Sequence, residues 1–210
     1  MLTNMPVIGT VRQYDHRVGF VYHHLNEADV RVEMVAAWRE EWADLSANWP
    51  RGQCYGKQLT DTGWITFERV MPEALATQDD DWLVAEMSPA EYWQDRLARR
   101  TKTGVTMVDY NKRDALEKLC LGEFNIAYIR GLARALIARG ETTCMVYRAN
   151  PAYVPRGECS SWEEQTFTLT DVIAGHRARY HPPPGDRLAW SIPSGPSCHH
   201  SIRSVASSDQ

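Results

Sequence analysis

Much of what would classify this 210-residue chain at a glance is missing from it. No apolar run reaches the 18 or so residues that a membrane-spanning helix needs, so no membrane partner is expected. Met1 to Thr10 lacks a basic stretch followed by an apolar one, so no signal peptide is expected either. There is no CxxC pair, no HExxH, no GxSxG, no P-loop and no GxGxxG, and the deaminase pattern of HxE with PCxxC is absent. Those gaps remove the spacing evidence for zinc fingers, zincins, serine hydrolases, phosphate cradles and base deaminases. Strong positive charge is lacking as well, the net charge being −4. Residues 1–90 carry 14 acids against 7 bases, a balance of −7, and residues 91–210 carry 13 against 16, a balance of +3. Neither part reads as a dedicated nucleic-acid binder, though nucleic acid is not excluded as a partner. The five cysteines make an odd number in a chain without export signals, so reduced thiols or metal ligation are expected over a disulfide framework.

What is present is ordinary globular composition, 43% hydrophobic and 24% charged, with eight Trp and nine Tyr to build a core. The patterning predicts an α+β protein: a helical N-terminal two-thirds and a small loop-rich C-terminal lobe containing short strands. The expected divisions are a mainly helical domain over 1–140, a Cys/His-rich lobe over 141–203 and a disordered tail over 204–210. Val18 to Tyr22 reads as irregular or short-strand structure, and His23-His24 as surface or cap residues. Met34, Val35, Trp38, Trp42 and Leu45 form one stripe of a 3.6-residue period, predicting a helix from Glu27 to Leu45. Gly63 to Phe67 reads as a strand, and Phe67 to Leu75 as a brief helix interrupted at Pro72. Ser88-Pro89-Ala90-Glu91 has the form of a capping box opening a helix through Tyr92, Trp93, Leu97 and Arg100. Val105 to Tyr110 alternates as a strand or extended linker. Helices are expected over Lys112–Leu121 and Asn125–Arg139, with Gly140 closing the second. Thr143–Ala149 and Thr166–Leu169 read as strands, and Asp171–Tyr180 as a short helix.

Chemistry concentrates from Cys144 to His200, where three cysteines and four histidines fall in 57 residues rich in Pro and Gly. Cys and His are the ligands zinc prefers, and a tetrahedral structural site needs four of them gathered together. The candidate ligands are Cys144, Cys159, His176, His181, Cys198 and His199, with His200 beside the last. Bound zinc would couple metal affinity to folding in a segment with few apolar anchors. Packing against the Asn125–Arg139 helix is the competing way to hold it. No orienting acid or helix N-terminus marks any of the thiols as a nucleophile, and the chain leans away from being an enzyme.

Two family resemblances emerge. Asn125 to Gly140 has the form N-x-A-Y-x-R-G-x-A-x-A-x-x-x-x-G; Cys159-Ser-Ser-Trp-Glu-Glu-Gln-Thr-Phe-Thr-Leu and Gly195-Pro-Ser-Cys-His-His-Ser-Ile follow. This order resembles the C-terminal region of phage Mu F-type head morphogenesis, or minor capsid, proteins. Glu164 or Gln165 stands where that family has Gly, His199 where it has Arg, and Trp162 where it has a second Cys. The resemblance implies a structural or assembly role in a phage-like virion, through contact with portal or capsid proteins in the host cytoplasm and the virion. It places Cys159, Cys198 and His199 at motif positions. Separately, Glu41-Trp42-Ala43-Asp44, Tyr55-Gly56-Lys57-Gln58 and Leu121-Gly122-Glu123-Phe124-Asn125-Ile126-Ala127 resemble segments of thymidylate synthase in the right order. That likeness implies the alternative, a zinc-dependent or nucleotide-directed enzyme. The Pro-Cys-His nucleophile motif and the paired phosphate-gripping arginines of that enzyme are missing between those segments.

Overall fold

The computed structural model describes residues 20–48, 50, 56–150, 160–178 and 199–206. Its elements run α1 (Ala28–Asn48), α2 (Asp61–Thr77), α3 (Asp80–Glu86), β1 (Leu97–Thr101), β2 (Gly104–Val108), α4 (Lys112–Ala138), β3 (Thr143–Arg148), β4 (Thr166–Thr168), α5 (Leu169–Ala178) and β5 (His200–Ser204). The α+β architecture expected from the patterning is what the chain adopts, with helices first and a small antiparallel sheet last. No helix of the described residues is long and apolar enough to cross a membrane.

α4 is the axis. It is a single helix of 27 residues, about 40 Å at 1.5 Å per residue, where two helices parted at Gly122 were expected. Gly122 costs roughly 1 kcal/mol against Ala in a helix interior. Burial of Leu119, Cys120, Glu123 and Phe124 on either side of it carries the helix through. Asn111 caps its start by accepting from Asp114 N–H at 3.2 Å. Its end has the geometry of a Schellman motif: Gly140 at φ 85°, with Gly140 N–H donating to Ile137 O at 2.9 Å and Glu141 N–H to Leu136 O at 2.9 Å. α1 lies along α4 on the predicted stripe, with Met34, Trp38 and Leu45 buried. The two backbones meet at Gly131, where an added Cβ would sit 2.5 Å from Met34 N. Only a residue without a Cβ permits that approach.

α2 replaces the predicted strand at Gly63–Phe67. Thr60 caps it by accepting from Gly63 N–H at 3.1 Å, and Trp64, Phe67, Val70, Met71, Ala74 and Leu75 form a buried helical face. The stripe continues through Pro72, which lies inside the helix. β-branched and aromatic residues read locally as strand here, and the 3.6-residue spacing of the buried set decides otherwise.

The helix predicted from Ser88 does not form. One 3₁₀ turn spans Ala90–Tyr92, and Ser88 Oγ donates back to Ala85 O at 2.8 Å, closing α3. Trp93 then turns into the core, its Nε1–H donating to Met87 O at 2.8 Å, and bridges to Leu59. Burying that indole outweighs the local capping signal. The chain continues as the β1–β2 hairpin, in which β2 falls on the expected Val105 strand and β1 occupies residues expected to be helical.

β3 forms the centre of a three-stranded antiparallel sheet in the order β4-β3-β5. Cys144, Val146 and Ile202 face inward and join Leu169 and Val172 in the same core as the helices. Packing of the sheet and α5 on α4 is thus established; Asn125 Nδ2–H adds a bond to His200 O at 2.8 Å. Ser204, expected to open a disordered tail, is buried as the last residue of β5 and pairs with Cys144. Phe20 to Tyr22 form no strand; Val21 N–H donates once, to Ala149 O at 2.8 Å, and the rest of the expected Val18–Tyr22 strand lies outside the described residues. His24 is buried, its carbonyl accepting from Glu27 N–H at 3.2 Å in the turn that precedes α1.

Candidate functional site

Of the six candidate metal ligands, Cys159, His181 and Cys198 lie outside the described residues, and His176 is placed only as a backbone position of α5. Cys144 is sealed under the sheet, and burial, reinforced by Glu141, pushes its thiol up to about 12. A thiol so protonated is a small hydrophobe and a poor ligand. His199 packs its ring beside Phe20, with centroids 6.5 Å apart. In the β3–β5 register Cys144 pairs with Ser204 and Arg148 with His200, so Cys144 and His199 stand at opposite ends of the sheet, about 17 Å apart at 3.4 Å per residue. They do not share one ion. Among the described residues no group of three or more His, Cys, Asp or Glu could hold a metal.

At the His199 end of the sheet a different cluster forms. Glu163, in the turn after the Ser160–Trp162 3₁₀ helix, is ion-paired with Arg148 and faces His200 Nε2 at 3.2 Å. Burial pulls the Glu163 carboxyl up, but hydrogen bonds from His200 and Arg148 outweigh it and hold the group below its ordinary value. Burial lowers His200, with the Arg148 charge adding and Glu163 opposing. His200 therefore sits neutral near pH 7, its carbonyl fixed by Asn125 and its ring by Glu163. Glu163 and Arg148 carry no local signal in the sequence: the contact to His200 spans 37 residues.

A second cluster is buried where α1 crosses α4. Arg130, 1% exposed, is ion-paired with Glu41. Glu123, two turns before Arg130 on α4, is driven far above its ordinary value by burial and by the Glu41 charge, with Arg130 opposing. Burial thus favours the neutral form of Glu123 beside the Arg130–Glu41 ion pair. Arg130 Nε and Trp38 Nε1 are buried with no hydrogen-bond partner among the described residues. Cys120, near the start of the same buried stretch, has its thiol forced well up by burial, with the Glu123 and Asp80 charges adding. These groups sit in the interior, and the ion pair fixes how α1 and α4 meet.

The surface offers an open groove between α1 and α2, 610 Å³ in volume. Val32, Val35 and Ala36 line it beside Arg31 and Arg39, and Val32 is 66% exposed. Arg31 is committed to structure: its Nη1 donates to Ala74 O, Leu75 O and Gln78 O at 3.2, 3.0 and 2.6 Å, satisfying the carbonyl end of α2. The tryptophans and tyrosines of the described residues are buried or half-buried, so the exposed apolar surface is aliphatic. No family model, curated protein or solved structure matches the chain.

Proposed function

We propose that this chain is a structural or assembly protein of a phage-like virion, a minor capsid or head morphogenesis protein that works by contact with portal or capsid proteins. The observation that carries the reading is the α1–α2 groove, whose aliphatic floor and exposed Arg39 suit an amphipathic segment of another protein. The Mu F-type resemblance over Asn125–Ile202 supplies the class of partner. The test is co-sedimentation of the purified chain with purified portal and capsid proteins of a tailed phage. Binding that is lost in Val32→Asp supports the reading, and absence of binding to either protein refutes it. Zinc is part of the proposal through the Cys159 and Cys198 motif positions, and elemental analysis of the purified chain measures it directly.

A second reading, a nucleotide-directed enzyme, is favoured by one observation. The two helical stretches that resemble thymidylate synthase meet across α1 and α4, bringing Glu41 and Glu123 to Arg130. A phosphate would have to displace Glu41 from Arg130 inside the core, which is why the assembly reading is preferred. Calorimetric titration with a pyrimidine nucleoside monophosphate separates the two, since only the enzyme reading predicts saturable binding.

A further inference from the structure

Among the described residues the β1–β2 hairpin joins no core. There its strands pair only with each other, and of their ten residues all but Leu97 and Val108 at the base are exposed. A free two-stranded ribbon is marginal in water, so selection for core stability does not explain its composition. That composition is one-sided in charge. Arg96, Arg99, Arg100 and Lys102 occur with no acid between residues 96 and 108, in a chain of net charge −4. Arg96 is neutralised by Asp109 at 3.0 Å. Among the described residues no ion pair engages Arg99, Arg100 or Lys102.

The register distributes these cations. Arg99 opposes Thr106 and Thr101 opposes Gly104, so these share one face. Arg100 opposes Val105 and Ala98 opposes Met107, so the other face carries Arg100 beside exposed aliphatic surface, Val105 being 71% exposed. Lys102 lies in the connecting turn. A flat acidic protein surface would engage one face of such a ribbon and leave the other charged face in water. A groove walled by anions on both sides engages both faces and the tip. The major groove of duplex DNA has this form and, at about 12 Å wide, admits a two-stranded ribbon. The strands reach about 17 Å at 3.4 Å per residue, enough to enter it.

We propose that the β1–β2 ribbon is a DNA-binding arm that enters the groove of a duplex, with Arg99, Arg100 and Lys102 on the phosphates and Val105 and Met107 against the apolar edges of bases or sugars.

The experiment is fluorescence anisotropy of a labelled 20-base-pair duplex with the full chain, between 50 and 200 mM salt. Three phosphate contacts predict a log–log salt slope of about −2.7. Arg99→Gln/Arg100→Gln/Lys102→Gln is expected to weaken binding at least tenfold and to bring the slope close to zero. The ribbon is solvent-exposed, so the variant should melt with the wild type; Val105→Ser/Met107→Ser, a second variant with the charges intact, should keep the slope and lose less affinity. Failure of the wild type to bind, an unchanged slope in the charge variant, or equal binding to polyglutamate-coated beads would each overturn the proposal.

Discussion

From Glu123 to Ala133 eleven consecutive residues of α4 are buried, charged ones included, whereas the β1–β2 ribbon exposes nearly everything it has. Both segments carry arginines, with opposite consequences. Arg130 is locked to Glu41 in the interior, where losing either partner strands a charge in low dielectric. Arg99 and Arg100 stand in water and can be altered at little cost to the fold. The core charge fixes how helices cross, and the surface charge is free to meet something else. A search for function among the most perturbed groups leads to the interior of this molecule, where the perturbation comes from burial itself.

The largest expected effect comes from breaking the core side. Arg130→Met should destabilise the chain by about 3–5 kcal/mol, because the buried Glu41 carboxylate loses its guanidinium. Adding Glu41→Gln to that variant should recover much of the loss, and chemical denaturation of the single and double variants checks both. Gly131→Ala comes next, at about 1–3 kcal/mol, since its Cβ would press on the Met34 backbone; a melt within error of the wild type would mean that α1 and α4 do not cross there.

Asp80 gives a smaller, pH-dependent effect. Burial first and the neighbouring Asp81 second raise its pKa from 3.8 to about 7. A raised carboxyl contributes stability that is full below its unfolded value and is lost as the pH climbs through about 7. Asp80→Asn should therefore gain in Tm over the wild type at pH 8 by more than at pH 5, at roughly 2–4 °C for each kcal/mol. An equal shift at both pH values would show that Asp80 is ionised in the folded chain throughout. Smallest of all, Ser88→Ala should change stability by no more than about 0.5 kcal/mol, because its hydroxyl only closes the short α3 and caps no helix.

How far these features could be read from the sequence depends on how local their causes are. The α1 stripe, the Gly140 terminus and the β3 and β4 strands were legible because each follows from residues within one element. Ser88 misleads because its capping pattern is local while the decisive event, Trp93 entering the core beside Leu59, is not. Gly63–Phe67 misleads because four or five residues cannot separate a strand from the first turns of a buried helix. The clusters are beyond local reading: Glu41 meets Arg130 across 89 positions, and Glu163 meets His200 across 37. Cysteine and histidine are dense from Cys144 to His200, yet Cys144 faces the core and the His200 ring meets a carboxylate.

Hydrogen exchange resolved along the intact chain tests the contrast most directly. Amides from Glu123 to Ala133 should exchange only through global unfolding, while those of the ribbon exchange orders of magnitude faster, and duplex DNA should slow exchange in the ribbon alone. Ribbon amides as protected as those of α4 without any ligand would contradict that contrast.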